Sequence, residues 1–112
     1  MLPLSKIDKS KAASRPYMFT DTGVMALIQA MFEAGAQRSR IIAKAAGGAS
    51  VLDDSGLFRI GERNHTVLRK VLWKNDIVIA KEDCGGTIAR TIYLHIDSGD
   101  LILKAGGKES TL

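Results

Sequence analysis

Two short apolar runs on either side of an amphipathic helix constrain this chain more than any other feature. The first, within RIIAKAAGG, reads as a buried strand over about 41–46 that ends at Gly47 and Gly48. A helix should follow from about Gly61 to Lys74, with Ile60, Asn64, Val67, Leu68, Val71 and Leu72 on its inner face and Asn75 as its stop. The second run, DIVIAKE, is the next strand. Strand, crossover helix and strand together predict a right-handed βαβ unit whose two strands are parallel neighbours.

The flanking segments extend this unit. Upstream, Thr20 or Asp21 can cap a helix through a side-chain oxygen. Val24, Leu27, Ile28, Met31 and Phe32 then recur at helical spacing, and the stripe reads as core packing. Gly35 stops that helix, because glycine accepts the left-handed conformation found just past many helix ends. Residues 1–16 read as irregular, with Pro3 and Pro16 as breakers, and Tyr17 and Phe19 bring the segment back to the body. Composition makes DDSG, at 53–56, a turn. Downstream, Thr91, Tyr93 and His95 alternate with Ile92, Leu94 and Ile96, Ser98 and Gly99 supply a turn, and LILKA returns as the second arm of a hairpin. The tail GGKESTL reads as frayed. The expected architecture is one α/β domain over 1–112, with two helices packed on a mixed sheet.

Composition excludes several function classes. A single cysteine, Cys84, removes any internal disulfide framework and points to a reducing compartment, the cytoplasm. No Cys/His cluster has metal-ligand spacing, and no organic cofactor is implied. The glycines form neither G-x-G-x-x-G nor a P-loop. The net charge of +4 comes largely from Lys6, Lys9, Lys11 and Arg15, with no aromatic residues interleaved, which argues against nucleic-acid binding. The longest apolar stretch is interrupted by Gln29 and Glu33 and is too short for membrane insertion.

The stretch KEDCGGTIAR has the look of a nucleophile's address. A catalytic cysteine needs a lowered pKa and a base, and only His65 and His95 are available in this chain. Neither has a local relation to Cys84, and the adjacent acids Glu82 and Asp83 oppose thiolate formation. Gly85 and Gly86 permit a tight turn, and Arg90 is placed to hold the acidic pair. In IGERN, Glu62 suits the helix amino terminus, while Arg63 is a candidate partner for Asp83 or Glu82.

Taken together, MLP at 1–3, FTDTGVMALIQAMFEAGAQRSRIIAKAAGGASVL at 19–52, IGERN at 60–64, EDCGGTIAR at 82–90 and the hairpin YLHIDSGDLILK resemble the CheD family of chemotaxis proteins. The resemblance implies a fold like the catalytic domain of cytotoxic necrotizing factor toxins. It also implies a protein-glutamine glutaminase, which deamidates glutamines of methyl-accepting chemotaxis receptors and binds the phosphatase CheC. In that chemistry a cysteine thiolate attacks the amide carbon, a histidine moves the proton, ammonia leaves, and water hydrolyses the thioester. The family's Gly-Ser-Cys nucleophile and its histidine precede the Met-Leu-Pro that here is Met1, Leu2 and Pro3.

The resemblance therefore gives this chain no catalytic residue. Cys84 falls at a variable position of its motif. Gly47, Gly48, Glu62, Arg63, Asn64, Glu82, Asp83, Gly85, Gly86 and Arg90 are left as site-supporting candidates. A chain lacking the family's first strands should be inactive alone and should expose a sheet edge through which it forms homo-oligomers. The alternative is a non-catalytic binding module for CheC or a receptor.

Overall fold

The computed structural model describes residues 2–50 and 59–112. It is an α/β structure containing helices α1 (Lys9–Ser14), α2 (Thr20–Glu33) and α3 (Ile60–Lys74). The strands are β1 (Ala43–Gly47), β2 (Ile79–Cys84), β3 (Arg90–Leu94), β4 (Leu101–Ala105) and β5 (Lys108–Thr111). As the βαβ pattern requires, β1 and β2 are parallel, with Gly47 opposite Cys84 at their carboxyl ends. The order β3-β4-β5 forms a second, antiparallel sheet. Strands of both senses are thus present, distributed over two sheets. The turn expected at 53–56 lies outside the described residues.

The main core lies between α2, α3 and the parallel pair. Ile28, Leu72 and Ile77 are buried at its centre, with Val24, Phe32, Leu68, Val71 and Ile79 packed around them. Only part of the expected α2 stripe turns inward. Val24, Ile28 and Phe32 form the packed line, whereas Leu27 and Met31 are exposed. Spacing by four residues keeps side chains nearly in register on a helix, and the i+3 members fall at the edge of the contact. Past α2, Gly35 adopts φ +98°, and its N–H donates to the Phe32 carbonyl while Ala36 N–H donates to that of Met31. This pairing satisfies the last helical carbonyls in a Schellman motif.

The amino-terminal segment departs from the irregular reading. Asp8 caps α1, its Oδ1 accepting from Lys11 N–H at 3.1 Å. Short 3₁₀ turns flank that helix at Ser5–Ile7 and Pro16–Met18. The segment is anchored at Leu2, whose N–H donates to the Met18 carbonyl (2.8 Å) and whose carbonyl accepts from Thr20 N–H (2.7 Å). Pro3 and Phe19 are the largest fully buried side chains. Neither Thr20 nor Asp21 caps α2, because the N-cap position is Phe19 and carries no side-chain cap. Asp21 instead accepts from Ser5 N–H at 3.0 Å and from Ser5 Oγ at 2.8 Å, tying the amino-terminal segment to the first turn of α2.

The carboxyl-terminal segment is not frayed. Lys108–Thr111 adds strand β5 to the hairpin, with Ser110 opposite Leu103. Leu101 and Leu103 of the central strand β4 are buried, the latter 3% exposed. Lys44 of β1 bridges the two sheets by donating from Nζ to the Leu112 carbonyl at 2.8 Å. No helix among the described residues is long and apolar enough to cross a membrane.

Candidate functional site

The carboxyl ends of β1 and β2 meet the amino terminus of α3 in a corner built from glycines. Gly47, Gly48, Gly85 and Gly86 have φ of +116°, +66°, +84° and +69°. Side chains other than glycine's rarely adopt these left-handed conformations. Two hydrogen bonds join the pairs, one from Gly85 N–H to the Gly47 carbonyl (2.8 Å) and one from Ser50 N–H to the Gly86 carbonyl (2.9 Å). The first turn of α3 lies against this corner through Gly61, where an added Cβ would sit 2.1 Å from the Gly48 carbonyl oxygen. Gly61 belongs to IGERN, yet its spacing carried no signal of this approach. Its partner is distant in sequence, and a helix start tolerates many residue types.

Arg90, the first residue of β3, locks the corner. Its side chain is 9% exposed and donates from Nε (3.2 Å) and Nη2 (3.0 Å) to a single oxygen of Asp83, Oδ1. Nη1 donates to the Gly47 carbonyl at 3.1 Å. Arg90 therefore holds one acid and one backbone carbonyl, not the acidic pair. Glu82 is held elsewhere, with its Oε2 3.2 Å from His65 Nε2. Asp83 and Glu82 are thus engaged by Arg90 and His65 rather than by Arg63. Glu62 and Arg63 lie exposed on the first turn of α3. Asn64 turns inward and accepts through Oδ1 from the buried Thr20 hydroxyl at 2.9 Å, fixing the start of α3 to the start of α2. Sequence spacing missed this last bond, because Thr20 is a plausible cap and the two residues lie far apart along the chain.

Among the described residues, the thiol at the corner is made less acidic by its surroundings. Cys84 is half-buried, and burial pushes its thiol pKa up. Glu82 adds to the rise, Arg90 partly offsets it, and Asp83 raises it again. His65 is bonded to Glu82. His95 is exposed just beyond β3, where its N–H closes the hairpin on the Asp100 carbonyl. Neither histidine is hydrogen-bonded to Cys84 among the described residues. Among those residues there is also no group of three His, Cys, Asp or Glu side chains that could hold a metal ion. The corner fixes backbone and charge, and its surroundings disfavour the Cys84 thiolate.

The sequence that builds this α/β structure fits a known family over most of its length. Residues 1–105 fit the family described as CheD chemotactic sensory transduction. The chain belongs to the CheD family. It is 49% identical, over its full length, to a probable chemoreceptor glutamine deamidase CheD of Solibacter usitatus, of which it covers 66%. It is 46% identical over 96% of its length to the corresponding protein of Syntrophus aciditrophicus, covering 67% of that chain. A Haloarcula marismortui protein of the same name is 40% identical over 82% of this chain, which covers 54% of it. The chain thus spans about two thirds of the length of its bacterial relatives.

Proposed function

We propose that this chain forms the supporting part of a cytoplasmic chemoreceptor glutamine deamidase whose nucleophilic cysteine and histidine come from the family segment preceding Met-Leu-Pro. The observation that carries this reading is the state of Cys84, a thiol made less acidic by its surroundings with no histidine bonded to it. A thiolate is the attacking species in such chemistry, so a thiol whose surroundings disfavour ionisation is a poor nucleophile. The family relationship supports the substrate class, since the relatives are named for chemoreceptor glutamines.

In this reading the glycine corner, Arg90–Asp83 and Thr20–Asn64 are positioning elements. They set where β1, β2 and the start of α3 stand, and hence where a strand continuing upstream from Leu2 would lie. That strand would carry the histidine, since the family's histidine shortly precedes its Met-Leu-Pro. Hydrolysis of the glutamine amide then proceeds on the upstream cysteine, with release of ammonia and formation of glutamate.

The test is ammonia release from receptor peptides containing the target glutamines, with this chain alone and with the chain extended upstream through the family's Gly-Ser-Cys and histidine. Activity should require the extension and should survive Cys84→Ser. Release by the chain alone that disappears in Cys84→Ser would overturn the reading and make Cys84 the nucleophile.

A second reading, a non-catalytic binding module for a receptor or a CheC-type phosphatase, is favoured by the same unactivated corner. It predicts receptor or phosphatase binding by the chain with no deamidation in either form. Self-association is a further part of the proposal. Ile92, Leu94 and Ile96 are exposed along and beyond β3, an edge strand of its sheet. Such an edge pairs readily with another chain.

A further inference from the structure

We propose that the groove between α3 and the open edge of β2 is a docking site for a segment of another protein that carries apolar and acidic side chains together. The groove is lined by Arg69, Lys70, Trp73, Val78, Ile79 and Glu82 among others, with no lining residue from β1. Local geometry creates it. The chain leaves α3 through a tight turn in which Asp76 takes φ +59° and Ile77 N–H donates to the Leu72 carbonyl at 2.9 Å. That turn drives Leu72 and Ile77 into the core and leaves their neighbours outside, with Trp73 75% and Val78 80% exposed. An indole and a valine this exposed in one groove are costly to leave in water, at roughly 25 cal/mol per Å² of apolar area.

Three observations define the occupant. First, among the described residues β2 has β1 as its one strand partner, so its other edge presents free backbone donors and acceptors to an extended segment. Second, Arg69 and Lys70 precede Trp73 by four and three positions on α3, so both cations flank the indole. Third, neither cation is in an ion pair among the described residues. Arg69 and Lys70 stand against the single carboxylate of Glu82, so the lining carries an excess of one positive charge around an apolar centre.

A second copy of the chain fits this poorly, because apposing two such faces brings like charges together on a chain of net charge +4. A nucleic acid would satisfy the cations but leave Val78 without an apolar partner. An acidic segment with apolar residues satisfies both. Trp and Arg are also the residue types that most often dominate binding energy at protein interfaces.

The probe is a synthetic peptide of alternating glutamate and leucine, titrated into the ¹⁵N-labelled chain. Amide shifts should concentrate at the Trp73 indole and at Val78–Glu82. The dissociation constant should rise by about tenfold or more in Arg69→Glu/Lys70→Glu, with added salt weakening the wild-type complex. Trp73→Ala should weaken it as well, and both variants alter exposed positions, so retained dispersion of the spectrum shows that the fold is intact. Three results would each overturn the proposal. The peptide binds the charge-reversed variant as well as the wild type, or shifts residues elsewhere. A single-stranded oligonucleotide produces the same shifts at lower concentration than the peptide. Sedimentation shows the free chain dimerising at this face, with Val78→Lys dissociating it. None of these readouts depends on deamidation.

Discussion

Strand β3 begins at a closely hydrogen-bonded corner and ends in the open. At its start, Arg90 is 9% exposed, with three donated hydrogen bonds to Asp83 and Gly47. Four residues later Leu94 is 60% exposed, although it stands opposite the buried Leu101 on β4. The same strand therefore has one end fixed by geometry and charge and another whose apolar side chains have found no cover. The corner should withstand little change in shape, whereas the open edge should tolerate one and show its effect in the proposed self-association.

Adding a methyl group at the corner should show the largest effect. In Gly61→Ala the new Cβ meets the Gly48 carbonyl at 2.1 Å, a backbone atom that cannot swing aside. Overpacking of this kind costs typically about 1–3 kcal/mol and occasionally more. The expected cost is at the top of that range or above it, with a fall in melting temperature of roughly 10 °C or more. Gly99→Ala is the control. It has φ +76° with nothing within 4 Å of the added Cβ, so only backbone strain of about 1–2 kcal/mol applies. Equal losses in calorimetry would mean that the α3–corner contact is not tight.

Removing the lock comes next. Arg90→Ala should cost about 2 kcal/mol, the scale of hydrogen bonds to charged groups, measured as a lower urea midpoint. The ion-pair share is modest because Asp83 is 43% exposed and screened by solvent. Arg90→Lys should recover less than half of the loss, since one ammonium cannot span both Asp83 and the Gly47 carbonyl as the guanidinium fork does. Full recovery by lysine would reduce Arg90 to a simple point charge.

The tether at Asp21 should follow, at about 1 kcal/mol. Burial raises the pKa of this carboxyl, but hydrogen bonds from Ser5 and Thr22 outweigh it and hold the group below the usual carboxylate value. A depressed folded-state pKa contributes stability above the unfolded pKa and loses it as pH falls through the folded value. Wild type should therefore exceed Asp21→Asn in stability at neutral pH, and the gap should close with acidification below the ordinary carboxylate range. A gap independent of pH would remove the charge from the account.

Much of the fold was legible because apolar periodicity records burial. The spacing of Leu68, Val71 and Leu72 marked α3, and the alternation through Tyr93 and Leu94 marked the hairpin. The unread parts carry little apolar signal. Strand β5, Lys-Glu-Ser-Thr, is polar and exposed throughout, held by backbone pairing to β4. Helix α1, Lys-Ser-Lys-Ala-Ala-Ser, is too short and polar to show a stripe. At the corner, the glycines and the acidic pair were legible as a turn and its charges. The partners were not, because Asn64 meets Thr20 and Arg90 meets Gly47 across more than forty residues of sequence. Such pairings depend on how the elements assemble, and local spacing does not encode that.

At the open end, Leu94→Lys should change folding stability by less than about 0.5 kcal/mol, since surface positions rarely matter more. Its effect should appear in sedimentation instead, as a shift toward monomer at high concentration. An unchanged distribution would mean that β3 does not mediate self-association.

The smallest structural change tests the chemistry of the corner. Cys84→Ser should alter stability by less than about 1 kcal/mol, because the thiol is only half-buried and a hydroxyl fits its volume. The informative quantity is the rate of alkylation of the wild-type thiol as a function of pH. Burial and the charge of Glu82 both disfavour the thiolate, so modification should be slower than for a free cysteine at the same pH. Glu82→Gln removes one of these opposing influences and should move the alkylation profile to lower pH. Arg90→Ala removes the favourable charge and should move it higher. A profile already below that of free cysteine would show that the corner activates Cys84, and the frame would have to be read as a site.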